Sequence, residues 1–594
     1  MSNDAKLRLL RDELARRGVD GFIVPMADEF QNEYVPVSAR RVEFVTGFTG
    51  SAGTAIMLQD RAAFFTDSRY TLQAGGEVSP ELFAQFDGAK KSPGEWLAEN
   101  LKAGDKFGYD PWLHTPRAVE RLQKAVAKAG AGLVALDGNP VDAIWKERPA
   151  PPLAPVVPHG IEFAGRSAEE KRQALAAALQ GRKRAAAMLT DPASVAWLLN
   201  IRGGDVPHIP LPLSFAILHA DAAADWFVDG RKLTPELAAH LGDAVRVKPI
   251  AAFGAALDEL GAQAAEVEVD LGLCAAWIVQ RLEQAGAKPV HADDPCLLPR
   301  ACKNAVEQAG MRNAHRRDGA ALTKFLGWLA AQPPGSVSEL QVDEVLEEYR
   351  AAQNLFRGPS FSTIAGSGPH GALAHYCATA ATDRKLQAGE LLLLDSGGQY
   401  LDGTTDVTRT VAIGNPSDEM RDRYTRVLKG HIALASARFP PGTRGGELDV
   451  LARQYLWAAG VDYGYGTGHG VGSYLSVHEG PQGISRGQRG DVALQPGMVL
   501  SNEPGYHKPG AYGIRFENLM LVTEASMPEG GEQAMLGFET LTLAPLDRNL
   551  LLPGFLTVAE IDWINDYHAR VRAEIAGQLN GDAKHWLMQA TESL

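Results

Sequence analysis

Apolar and polar positions follow two rhythms in the first half of the chain, and each rhythm occurs twice. Residues 5–17 and 170–182 place Leu and Ala at helical spacing among Lys and Arg, predicting two amphipathic helices. A short apolar run follows each, "GFIVP" and "AAAML", and predicts a buried strand. Glycine-rich turns come next, "TGFTGSAG" and "NIRGGD", and then strands that end in matched phrases, "FFTDSR" (64–69) and "WFVDGR" (226–231). One short phrase can arise by chance, but the shared order of helix, strand, turn and phrase points to an internal duplication. Each copy reads as an α/β domain with helices covering a sheet.

Two breaks divide the chain. The five prolines of "RPAPPLAPVVP", Arg148 to Pro158, exclude helix and central strand and predict an extended linker or a domain edge. After "DDPCLLPRACKN" the pattern changes to long helices, expected at 303–332, 335–353, 418–437 and 446–459, with strand pairs between them. Near the end, Thr557 and Glu560 fit a capping box, and Ile561, Ile564, Tyr567, Val571 and Ile575 recur at helical spacing. That helix needs an apolar partner, in its own domain or in another subunit. The reading is therefore α/β and α+β, with domains at 1–160, 161–302 (a repeat of the first) and 303–594.

Composition narrows the function. A 594-residue chain, 45% hydrophobic, is too long for one ordinary domain. Its net charge of −14, with no long basic stretch, argues against nucleic acid as a partner. Four cysteines (Cys274, Cys296, Cys302, Cys377) without a CxxC pair suggest a reducing compartment and no disulfide framework. The N-terminal stretch lacks an apolar signal-peptide region, and no run of about 18 apolar residues could span a membrane. A cytoplasmic protein is expected.

Chemistry concentrates in the last third. "ELLLLD" reads as a buried strand that ends on Asp395, and "DVTRTVAI" as a returning strand beside Asp406, so the two carboxylates are expected side by side across a hairpin. Bare carboxylates that close repel and desolvate badly. One could hold a proton, one could pair with a base such as Arg409, or both could bind a cation; ordinary turn aspartates on an exposed hairpin are the plain alternative. "YGYGTGHGVG" (463–472) surrounds His469 with glycines, which permit close backbone approach and unusual φ. "GMVLSNEPGY" (497–506) ends an apolar strand on Glu503, and "AYGIRFENLMLV" (511–522) sets Arg515 and Glu517 on one face of another. A lone buried histidine, a solvated strand end and a surface ion pair would explain these singly. A metal site explains all of them together. Its oxygen-rich donor set with one imidazole suits Mn²⁺ or a similar divalent ion, and four carboxylates balance two such ions.

In order and surroundings, Asp395, Asp406, His469, Glu503 and Glu517 resemble the ligand set of the pita-bread metallopeptidases, the family of methionine aminopeptidase, prolidase and aminopeptidase P. The phrases "GSAGTAIM", "TDSRY", "NIRGGDVPHIP", "DGTTDVTRT", "GTGHGVGSYLSVHEGPQGIS" and "NEPGYHKPGAYGIRFEN" extend the resemblance over nearly the whole chain, to the long, three-domain cytosolic aminopeptidase P branch. It implies two creatinase-like domains before a pita-bread catalytic domain. It also implies two Mn²⁺ ions and removal of an N-terminal residue that precedes proline, by a hydroxide held between the ions. Glu503 would be both ligand and general base; His375 and His478 would bind substrate and the oxyanion; Arg515 would orient a ligand; Arg69 would reach the site from the first domain. Family members often carry a histidine at the mouth of the proline pocket where this chain has Tyr465, which can wall an apolar pocket and offer a hydroxyl. A homodimer is implied too. The rival readings are a prolidase-type dipeptidase and a non-catalytic peptide-binding pita-bread protein. Two leading domains and a C-terminal extension oppose the first; the presence of all five residues, four acids and one histidine, opposes the second.

Overall fold

The computed structural model describes the backbone of residues 1–594 and every side chain but those of residues 488 and 489. It divides into two compact units, Met1–Gly160 with Arg166–Leu297, and Leu298–Leu594 with Ile161–Gly165.

The first unit contains both α/β copies. The helix Asn3–Arg16 buries Leu7, Leu10 and Leu14, and the helix Ala168–Gly181 buries Leu175, Ala176 and Leu179. Each starts two residues before its predicted position because a serine caps it: Ser2 accepts from Ala5 N–H, and Ser167 forms a capping box with Glu170. The first sheet comprises β1 (Gly21–Pro25), β2 (Thr54–Leu58), β3 (Ala62–Thr66), β4 (Ala84–Asp87), β5 (Lys106–Tyr109) and β6 (Gly132–Ala135), in the order β4-β3-β2-β1-β5-β6. The second comprises β7 (Ala186–Leu189), β8 (Phe215–His219), β9 (Ala224–Val228), β10 (Val245–Pro249), β11 (Glu266–Val269) and β12 (Lys288–His291), in the order β10-β9-β8-β7-β11-β12. Strand for strand the order is the same, and so are the directions: two antiparallel pairs at the centre and three parallel pairs outside them. The matched phrases span the end of the third strand of each sheet and the turn that follows it. There Asp67 accepts from the Arg69 backbone and guanidinium, and Asp229 does the same for Arg231. Stacked pairs Phe30–Phe215 and Trp112–Trp277 join the two halves of this unit, at ring separations of 4.5 and 4.2 Å. The proline-rich stretch forms no helix, and its end, Val157–Pro158, pairs as a two-residue strand with Ile201–Arg202.

The second unit holds the long helices. Ala305–Ala330 starts at an Asn304–Glu307 capping box and Glu339–Ala351 at a Ser338–Gln341 box; Asp418–Ala435 and Gly445–Trp457 follow. Three antiparallel groups of strands carry the candidate residues. The first is β13 (Ile364–Ser367), β14 (Glu390–Ser396) and β15 (Val407–Ile413). The second is β16 (Gly468–Gly470), β17 (Glu479–Ile484), β18 (Val499–Asn502), β21 (Asn518–Val522) and β22 (Phe538–Thr540), and the third is the hairpin of β19 (Gly505–Lys508) and β20 (Tyr512–Arg515). Leu391 to Leu394 are fully buried.

Two strand predictions are corrected. Asp395 faces Thr408 across the β14–β15 ladder, not Asp406, which lies just before β15. The connecting residues form their own small hairpin, Gly398–Tyr400 with Gly403–Thr404, and this sets the register. The two aspartates therefore share a face as diagonal neighbours rather than directly opposed partners. The run 511–522 is two strands, β20 paired with β19 and β21 paired with β18, so Glu517 sits at the break between them.

The C-terminal helix Val558–Ile575 has its Thr557–Glu560 capping box and finds its partner at home. Ile564, Tyr567, Val571 and Ile575 join the core formed by Tyr424, Val427, Ile514 and Leu546. Its apolar stripe is covered within its own unit, which decides between the two partners the periodicity left open.

Candidate metal centre

Asp406, His469 and Glu517 are buried, and one possible ligand atom from each lies within 4.8 Å of the other two. His469 Nε2 is 3.5 Å from an oxygen of Asp406 and 3.5 Å from one of Glu503. On its other side, His469 Nδ1–H donates to the Gly470 carbonyl at 2.9 Å, so the imidazole turns its Nε2 toward the acids. The glycines around it serve closeness rather than unusual backbone. A Cβ on Gly468 would lie 2.0 Å from the Ser501 carbonyl, and one on Gly470 would lie 2.2 Å from that of Glu479. β16 can thus pack against the strand that leads to Glu503. Glu503 follows β18 directly, and its N–H donates to the Thr467 carbonyl at 2.8 Å.

Arg515 links the remaining acids. Its Nη2 pairs with Asp395 at 2.5 Å, its Nη1 donates to the Ala374 carbonyl beside His375, and its Nε donates to the Thr408 hydroxyl. Thr408 in turn donates to Glu517 at 2.8 Å. Arg409, offered above as a partner for the aspartates, points the other way. It is buried on the carbonyls of Thr408, Glu517, Ala544 and Pro545, the Asn518 side chain and the Tyr567 hydroxyl. Strand alternation is the reason: Asp406 and Thr408 share a face, and Arg409 has the opposite one.

The electrostatics follow from crowding. Burial raises Asp395 to about 6 against the pull of Arg515, with Asp406 adding to the rise. Burial and the neighbouring Asp406 and Asp395 charges raise Glu503 to about 7, against His469 and Arg515. Glu517 is pushed well above the usual glutamate range by burial, then by Asp406, Asp395 and Glu503. Burial works against a charged His469, yet hydrogen bonding to Asp406 and the charges of Glu503 and Asp406 outweigh it and lift the imidazole to about 9. Cations would relieve this repulsion, and Asp395 Oδ1 is a buried oxygen with no hydrogen-bond partner among the described residues. The donors, carboxylate oxygens and one imidazole nitrogen, fit hard to borderline divalent ions.

His478 lies against the His469 ring, centroids 4.3 Å apart, and His375 is half-buried next to the carbonyl that Arg515 holds. Tyr465 contacts His507 through its hydroxyl, 3.2 Å from Nε2. Arg69 belongs to the first unit and forks onto Asp67. Two participants were missed in the chain, Thr408 and His507. Alternation from Asp406 marks Thr408; no local signal marks His507.

Two domains of creatinase type followed by a pita-bread metallopeptidase domain are the class that this fold and this cluster define. Models described as "Creatinase/Prolidase N-terminal domain" match residues 6–144 and 147–307, "Metallopeptidase family M24" matches 309–524, and "C-terminal region of peptidase_M24" matches 534–594. The chain is 40% identical over 610 residues to the probable Xaa-Pro aminopeptidase P of Paracoccidioides brasiliensis (strain Pb03), covering 99% of each, and 40% identical to that of Aspergillus oryzae, covering 100% of this chain and 93% of the relative. A crystal structure of X-prolyl aminopeptidase from Caenorhabditis elegans, described as a cytosolic enzyme with a di-nuclear active site, superposes with a TM-score of 0.95 at 34% identity over 100% of both chains. A Xaa-Pro dipeptidase from Bacillus anthracis superposes at 0.52 with 26% identity, covering 64% of this chain and 99% of that one. The chain belongs to metallopeptidase family M24. Among the described residues no helix is long and apolar enough to cross a membrane.

Proposed function

We propose that the chain is a Xaa-Pro aminopeptidase, which releases the first residue of peptides whose second residue is proline. The observation that carries this reading is the meeting of Asp406, His469 and Glu517 in a chain similar over its whole length to relatives so named. Asp395, Asp406, His469, Glu503 and Glu517 would hold two divalent cations, Mn²⁺ by the character of the donors. When bound, the ions supply Lewis-acid polarisation of the scissile carbonyl and an acidified water.

The chain's own residues do the rest. Glu503, which follows β18 with an oxygen 3.5 Å from His469 Nε2, would accept and return the proton as general base. Arg515 holds Asp395 in place, and His375 and His478 take the substrate carbonyl and the developing oxyanion. An Xaa-Pro bond has no N–H, so recognition of the leaving side falls to ring contacts, with Tyr465 as one wall. Domains at 1–160, 161–302 and 303–594, a cytoplasmic location and a homodimer belong to the same proposal. Because the terminal helix is covered in its own unit, the dimer rests on the resemblance alone, and sedimentation tests it.

The test is to strip the protein of metal, reload it with Mn²⁺, and offer Arg-Pro-Pro and Gly-Pro. Release of arginine only from the reloaded protein is expected, with Asp406→Ala losing both metal and activity. Rapid cleavage of the dipeptide alone would favour the dipeptidase reading. Metal binding without hydrolysis of either peptide would favour a non-catalytic binding protein.

A further inference from the structure

A buried ion pair outside the ligand set grips the loop that precedes His469. Asp449 and Arg453 are one helical turn apart on Gly445–Trp457, with side chains 1% and 2% exposed. Arg453 Nε donates to Asp449 at 2.6 Å, and its two terminal nitrogens donate to the carbonyls of Tyr463 and Tyr465 at 2.8 and 2.6 Å. The guanidinium also lies 3.9 Å from the centroid of the Tyr463 ring. From the other side, the Thr467 hydroxyl donates to Asp449 at 2.6 Å and is within 2.6 Å of the Tyr463 hydroxyl. The Thr467 carbonyl then accepts from Glu503 N–H at 2.8 Å, and Gly468 alone separates Thr467 from His469.

Two rigid contacts therefore hold residues 463–467 to one helix, and two candidate ligands hang from that loop. One follows along the chain, and the other is reached through a backbone hydrogen bond. Truncating one partner of a buried charge pair leaves the other uncompensated, so such a pair is a stiff support for what it holds. We propose that Asp449, Arg453 and Thr467 are positioning residues that set the separation of His469 Nε2 from Glu503, and through it the affinity and geometry of the metal centre. The proposal rests on the metal reading above. Asp462 also pairs with Arg453 at 2.9 Å and accepts from the Tyr463 N–H at 2.9 Å, but its side chain is half-exposed and Asp462→Asn keeps the Oδ1 acceptor, so that variant serves as the control.

The experiment loads the full chain with Co²⁺, follows its d–d absorption bands, and measures Co²⁺ and Mn²⁺ affinity by calorimetry. Arg453→Lys and Thr467→Val should bind roughly tenfold or more weakly, in the range of outer-shell partners of metal ligands, with shifted bands. Thr467→Ser, which keeps the hydroxyl, and Asp462→Asn should behave as the parent. If Arg453→Lys does not fold, the Thr467→Val and Thr467→Ser pair decides alone. Parent-like affinity and spectrum in Thr467→Val would overturn the positioning role while leaving the metal centre standing. A parent chain that binds neither ion would overturn both.

Discussion

His507 has one ring nitrogen committed as a donor, since the Gly371 carbonyl 3.1 Å from Nδ1 can only accept. Burial, with Arg515 adding to it, lowers the imidazole to about 3, so Nε2 is a lone pair and the Tyr465 hydroxyl donates to it. Glycine makes room for the contact: a Cβ at Gly505 would stand 2.1 Å from the tyrosine oxygen. Tyr465→Phe removes one neutral hydrogen bond, about 0.5–1.5 kcal/mol, and leaves the ring wall in place. The expected outcome is a stability lowered by that amount, read from the denaturant midpoint, with kcat and KM for Xaa-Pro-Pro peptides little changed in steady-state kinetics, because the contact is made alike in the free enzyme, the complex and the transition state. A tyrosine at 465 can be read off the chain, but its partner lies 42 residues away and is found only by looking across the pocket.

Among the elements, β16 contributes one ligand from three residues, and its placement depends on missing side chains. Gly468→Ala would drive β16 off the Ser501 carbonyl, carrying His469 away from Glu503. A displacement near 1 Å is enough for a loss of about 10²-fold in kcat/KM, measured on the Mn²⁺-loaded enzyme. The C-terminal helix is the other element with a measurable load. Ile564 is fully buried, and Tyr567 joins Arg409 to the carbonyls of Thr542 and Ala544. Ile564→Ala should cost about 2–5 kcal/mol, seen as a lower denaturant midpoint of the second unit. Helices of this kind were legible from periodicity and caps because both are local. The register of β14 on β15 was not, because a small hairpin inside the connection sets it, and neither was the break at Glu517, because an apolar run does not reveal a change of partner strand.

For the molecule as a whole, stability should depend on both metal and acidity. Four acids around one imidazole, three buried and Glu503 partly so, repel without cations, so saturating Mn²⁺ should raise the thermal midpoint; at a hundredfold excess over Kd, linkage gives about 2.7 kcal/mol. Acid acts through the buried histidines. His431 and His568 are each lowered to about 3, by burial first and Arg409 second, and both accept a hydrogen bond at Nε2, from the Asn518 amide and the Leu546 N–H. The unfolded chain takes up these protons near the ordinary histidine value of about 6.5 and the folded one only near 3, so stability is lost as pH falls between those limits. Each site should cost roughly 2 kcal/mol between pH 7 and pH 5, and His568→Gln should shrink the fall in thermal midpoint over that interval. The order Asp, Asp, His, Glu, Glu and the strand ends that carry it were legible in the chain, since ligand types and hydrophobic rhythm are written locally. Which arginine meets Asp395, how close His469 comes to Glu503 and whether the last helix faces inward were settled only by the fold. Those contacts join residues as far apart as the 120 positions between Asp395 and Arg515, and packing rather than local pattern brings them together.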